Sequence, residues 1–338
     1  MFQPAELTIC LIVPAVVAMT AAFAIRQRPR SDWFEPSIAL GYVAGHFLLT
    51  VHAEWTTRVA LGQTADGTWR TALHQAFRML AFPRVAHDWL PILVLIAVAV
   101  TFAASAEKEI PSLSRRFARQ IPWLIGALFV VMRLLWGSNF VESEWSPEGT
   151  LLRIIGLAFV IWLPSQICEF GRSREPHLTN TGLASLIVTA AAAGITLLLS
   201  GSKTFGTYGL ITTSAIAGAA LVEASSHHKT VKPPRILPML LGSLIILGMF
   251  FAKLTPGHAI LLFVSMVFSC IQLQMPEFLA SQKQKLTCSL IAMILAGFVV
   301  ASAASQFARH KSPELTGPNK RSSLTTEPNL GCEPLTFT

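Results

Sequence analysis

Charge is what this sequence has least of. Only 13% of its 338 residues are Asp, Glu, Lys or Arg, about half the share found in soluble domains, while 52% are hydrophobic. A water-soluble protein of this length needs a charged surface that these residues cannot supply. Cysteine is also sparse. Cys10, Cys168, Cys270, Cys288 and Cys332 form no C-x-x-C pair, which argues against a disulfide framework or a zinc site. Enzyme signatures are missing: there is no G-x-S-x-G, H-E-x-x-H or Walker A run. Gly201-Ser202-Lys203-Thr204 looks like the end of a phosphate loop but lacks the first glycine. The net charge of +8 does not point to nucleic acid, because the basic residues lie in short connections rather than on one face. No cofactor or metal is expected.

Long apolar runs are what the sequence does have. Ten stretches, 6–25, 35–53, 89–106, 121–138, 151–168, 182–200, 206–224, 236–253, 257–275 and 287–305, approach the roughly 20 residues that span about 30 Å of hydrocarbon. They lack the alternation of a transmembrane barrel strand. The expected fold is all-α, a polytopic transmembrane helix bundle of about ten spans occupying 1–305, followed by a polar tail, 306–338. The tail carries Pro313, Pro318, Pro328 and Pro334 and is expected to be disordered. The first run has an Ala-rich end like a secretory signal. Its basic residues, Arg26, Arg28 and Arg30, follow it instead of preceding it, so it is expected to remain as a helix.

Lys and Arg recur in every second connection, at 26–30, 108–119, 172–174, 229–235 and 283–285. The positive-inside rule places those connections in the cytoplasm and the N-terminus outside, with the cell (inner) membrane as the expected location. Trp33, Trp89, Trp123, Trp136 and Trp162 fall near run boundaries, where an amphipathic ring prefers the headgroup level. Small residues four apart, Ala190/Gly194 and Ser214/Gly218, allow close helix approach. Between the second and third runs lies an outer loop, 54–88. Within it Trp69, Leu73, Ala76, Phe77 and Leu80 recur at helical spacing beside Arg70, His74 and Arg78. This predicts a short amphipathic helix, either on the outer bilayer surface or packed over the bundle.

Ionisable residues are costly in hydrocarbon, so those that enter the runs are informative. They gather toward the outer side. His46 lies about 10 Å deep at helical rise, with His52 and Glu54 at the mouth. Arg133 and Arg153 sit just inside outer ends, and His258 flanks an outer turn. Glu142 and Glu144 lie in the outer loop 139–149, and His87-Asp88 precede the third run. Together they outline a polar, outward-opening pocket with His46 and Arg133 at its floor. Arg133, paired with Glu142 or Glu144, would grip an anionic ligand or a lipid headgroup. The alternative is that Arg133 snorkels to the headgroups and His46 makes one interhelical hydrogen bond. Three activity classes stay open: a transporter with this pocket, a partner-binding scaffold or assembly component, and a membrane enzyme acting on lipid-linked substrate through His46, His87 and Asp88.

Overall fold

The computed structural model describes residues 3–26, 33–62, 65–106, 113–136, 138, 140–170, 180–225, 235–274 and 282–311. Among them there is no strand. The helices are α1 (Pro4–Arg26), α2 (Phe34–Ala60), α3 (Ala65–Ala81), α4 (Trp89–Ala106), α5 (Leu113–Leu135), α6 (Pro147–Phe170), α7 (Asn180–Leu199), α8 (Lys203–Ala224), α9 (Ile236–Phe251), α10 (Pro256–Gln274) and α11 (Gln282–Lys311). A 3₁₀ turn at Ala86–Asp88 leads into α4, and a π turn at Phe140–Glu144 joins α5 to α6.

Each apolar run falls on one helix, and α3 is the amphipathic segment between the second and third. Among the described residues, seven helices are long and apolar enough to cross a membrane, namely α1, α2, α6, α7, α8, α10 and α11, and the bent α3–α4 pair would be an eighth if it formed one span. One helix is short of the expectation: α9 has 16 residues, about 24 Å at helical rise against about 30 Å of hydrocarbon. The reason α9 can be short lies in its position. It packs against α4, α5, α6, α7, α8 and α10, and every residue from Ile236 to Gly248 is buried. A helix that is apolar all round belongs in a core.

Two helices lie at the periphery. α1 packs against α2 and α8, and α11 against α7 and α10. Only 22% of the apolar window of α1 and 28% of that of α11 is buried, against 78% for α8. On α11 the exposed side chains Leu286, Leu290, Ile294 and Phe298 recur every four residues, forming one continuous apolar stripe. Exposed apolar surface of this kind fits lipid as the surrounding medium.

Contacts at the two ends of the bundle show that the apolar helices alternate in direction. At one end the start of α1 meets the start of α8 through Glu6 and Lys203, 2.7 Å apart. There the α5–α6 turn meets the end of α9, with the Phe140 and Phe250 rings 5.3 Å apart. At the other end Glu35, starting α2, accepts the main-chain N–H of Arg235, just before α9. The Arg235 guanidinium lies 5.5 Å from the ring of Trp123 on α5.

Two local features differ from expectation. α2 runs to Ala60, so residues 54–60 are helix rather than loop. α11 runs to Lys311, past the expected boundary at 305, and the rest of the tail, 312–338, lies outside the described residues.

A buried hydroxyl ladder joins α7 to α10. Thr189 pairs with Ser265 at 2.9 Å and with Ser269 at 3.3 Å, and the Ser185 hydroxyl donates to Gln272 Oε1 at 3.1 Å. Interhelical bonds of this type contribute on average about 0.6 kcal/mol each in a membrane. Thr189→Val is therefore expected to destabilise by roughly 1 kcal/mol. The expected readout is a modestly lower thermal midpoint in detergent with unchanged helix content.

Candidate functional site

The expected outer cluster divides into several places. The first is a narrow cleft between α2, α3 and the 3₁₀ turn, lined by His46, Phe47, Thr50, Ala76, Met79, Leu80 and Asp88. His46 is buried, 5% exposed, and its Nε2 has no hydrogen-bond partner. Its ring stacks on that of Tyr208 from α8, with centroids 4.6 Å apart and planes 14° apart. Tyr42, one helical turn before it, has its ring centroid 6.1 Å away.

His87 also packs on Tyr208, at 5.8 Å between ring centroids, with Phe205 6.1 Å from it edge-on. The sum of the two separations bounds the distance between the histidine rings at roughly 10 Å, the spread that a single substrate could touch at several points. Asp88 is held in place by its own turn. Its Oδ2 accepts the main-chain N–H groups of Arg84 and Val85, each at 3.3 Å, and its Oδ1 is 3.7 Å from His87 Nε2. His46, His87 and Asp88 are thus brought together around one tyrosine.

Arg133 is elsewhere. It does not line the cleft. Its guanidinium lies 4.6 Å from the Trp89 ring and 5.6 Å from the Phe129 ring, and its Nε has no hydrogen-bond partner. Of its two expected carboxylate partners, Glu144 is exposed, while the side chain of Glu142 lies outside the described ones. Arg153 is exposed with its guanidinium 4.7 Å from the Trp145 ring. His258 is buried and shares a hydrogen bond with Ser302 at 3.1 Å. Glu54 pairs with Arg58 along α2 at 3.9 Å. His52 stays near Trp55, ring centroids 6.1 Å apart. Among the described residues, no group of three or more His, Cys, Asp or Glu is arranged to hold a metal ion.

Tyr42 and Tyr208 were missed by charge-based reading. They are the only two tyrosines in the chain, and both pack on His46. The available signal was their position inside the apolar runs 35–53 and 206–224.

Chemically, the cleft is rich in acceptors. A carboxylate offers several lone-pair directions, and the His46 Nε2 accepts or donates according to its tautomer. A bare anion would meet the Asp88 carboxylate. A group with N–H or O–H donors would find complementary partners. Depth follows from α8: Tyr208 is five residues past Lys203, which is about 7.5 Å at helical rise. His46, stacked on it, is at the same level. The last turns of α2 extend beyond it and carry the Glu54–Arg58 pair.

No protein-family model matches this chain, and no curated protein matches it either. The class rests on the fold alone: among the described residues, an all-helical bundle with seven helices long and apolar enough to cross a membrane.

Proposed function

We propose that the chain is a multi-pass protein of the cell membrane. In this reading its ten apolar helices all cross the bilayer, and α1 begins on the outer side. Its outward-facing cleft under α3 captures a small hydrogen-bonding group. The alternating helix ends support the ten crossings, and the basic connections support the orientation. The observation that carries the site is the His46 Nε2, buried without a partner in a cleft it shares with Asp88 and Thr50. Leaving a buried polar atom unpaired costs roughly 1–3 kcal/mol, and a ligand donor or acceptor would remove that cost.

Size and depth narrow the occupant. The cleft has room for about one water molecule. It suits a single polar group, such as the amine or hydroxyl of a lipid or lipid-linked headgroup. The position close to the outer end differs from the midplane sites of secondary transporters. It favours a site that meets its ligand at the membrane surface. The convergence of His46, His87 and Asp88 supports a second reading, acid–base chemistry on a lipid-linked substrate. Arg133, over Trp89, remains the place for an anionic phosphate.

The test uses Thr50→Cys in a background lacking the five native cysteines. A membrane-impermeant maleimide applied to intact cells is expected to label it, and adding His46→Phe, which fills the cleft, should slow labelling several-fold. Labelling only from the cytoplasmic side, or none, would end this reading.

A further inference from the structure

The three faces of α3 have three different environments. Ala72 and Ala76 are buried against the bundle, at 0% and 2% exposed. The next face carries large apolar side chains in the open, Trp69 at 51% and Phe77 at 56%, with Phe77 anchored on Phe47 of α2 at 4.6 Å between rings. The third face carries Arg70, His74 and Arg78, all exposed. The helix axis of Thr68–Ala81 is bent by 86° from that of Ala86–Ala99. With α4 running through the bilayer, α3 lies parallel to its surface.

We propose that α3 is an interfacial helix that binds anionic phospholipid headgroups of the outer leaflet. Trp69 and Phe77 enter the boundary between headgroups and acyl chains, and Arg70, His74 and Arg78 meet the phosphates. Both faces are needed for this assignment. A water-facing helix would not leave two large aromatic rings exposed beside its basic stripe, and a lipid-buried one would not carry that stripe. The same arrangement explains why this connection, on the outer side, carries arginines at all. An arginine near an anionic surface gains about 1 kcal/mol, which offsets the bias that otherwise keeps basic residues in the cytoplasm. None of Trp69, Arg70, His74, Phe77 and Arg78 lines the cleft, although α3 supplies its Ala76, Met79 and Leu80.

The test compares the full chain with the double variant Arg70→Gln/Arg78→Gln. Phosphatidylglycerol is titrated onto the detergent-solubilised protein and the retained lipid counted by native mass spectrometry. Wild type is expected to retain it roughly 25-fold more tightly than the double variant, since each arginine accounts for about fivefold. Both proteins should retain phosphatidylcholine equally and show the same thermal midpoint in phosphatidylcholine nanodiscs. In parallel, brominated phosphatidylglycerol should quench a fluorescence component that Trp69→Phe removes. Equal phosphatidylglycerol retention by the two proteins would overturn the proposal. So would quenching of Trp69 as strong with brominated phosphatidylcholine as with brominated phosphatidylglycerol.

Discussion

Gly218→Ala and Gly209→Ala are expected to destabilise the bundle strongly, although each adds only one methyl group. A Cβ on Gly218 would stand 2.2 Å from the carbonyl oxygen of Ala15, and one on Gly209 would stand 2.3 Å from the Cα of Gly194. The neighbours are main-chain atoms, so no side chain can rotate away. α1 must move off α8 in the first variant, and α7 off α8 in the second. Overpacking a tight core typically costs about 1–3 kcal/mol, occasionally more, and these contacts should reach the upper part of that range. Pro14 makes the α1–α2 crossing equally tight, since a Cβ on Gly41 would lie 2.5 Å from its carbonyl oxygen. The control is Gly156→Ala, where a Cβ meets nothing within 4 Å. Replacing an interior helical glycine with alanine there should be neutral or stabilising by up to about 1 kcal/mol. Thermal unfolding in detergent checks the contrast. Comparable midpoints for Gly218→Ala and Gly156→Ala would mean that α1 does not sit on α8 as described.

These glycines also show how far the sequence could be read. Length and hydropathy located the apolar helices, because those are properties of each segment taken alone. The amphipathic period of α3 was legible for the same reason. Gly194 and Gly218 stood out as small residues at helical spacing, but which helix each would meet was not legible. Gly194 meets α8 and Gly218 meets α1, and neither pairing has a local signature. Helix ends were less visible. α2 continues through Glu54 and Arg58, which pair with each other along the helix at 3.9 Å, so the helix does not end where the apolar run does. The site followed the same division. His46 stood out as an ionisable residue inside an apolar run, and His87-Asp88 as ionisable residues at a run boundary. Their meeting through Tyr208 depends on α8 packing against α2, a relation between segments more than 150 residues apart. Arg133 was grouped with His46 because both are ionisable and share a side. The fold instead turns it toward Trp89, where the ring face offers an attraction that requires no carboxylate.

Glu35→Ala is expected to be the most damaging single change of a charged residue. Glu35 lies in the first turn of α2. In the fold it is 5% exposed and Arg235 is 3% exposed, so both lie inside the bundle. The carboxylate accepts the main-chain N–H of Arg235, and the Ser165 hydroxyl donates to the Arg235 carbonyl at 3.5 Å. Beside them the thiols of Cys168 and Cys270 are in hydrogen-bond contact. Elements from α2, α5, α6, α9 and α10 therefore converge on one polar knot. Removing the carboxylate takes this acceptor from the buried Arg235 N–H, and an unsatisfied buried donor costs about 1–3 kcal/mol. Glu35→Gln keeps an acceptor for the Arg235 N–H and should lose less than Glu35→Ala. The Glu6–Lys203 pair provides the comparison at the opposite end. It is as short as 2.7 Å, but its lysine side chain is 52% exposed, and an exposed pair contributes about 0–1 kcal/mol. Chemical denaturation in detergent should therefore rank Glu6→Ala close to wild type, Glu35→Gln below it and Glu35→Ala lowest. If Glu35→Ala proves as stable as Glu6→Ala, water reaches that end of the bundle, and the knot is a surface feature rather than a tie between the helices it joins.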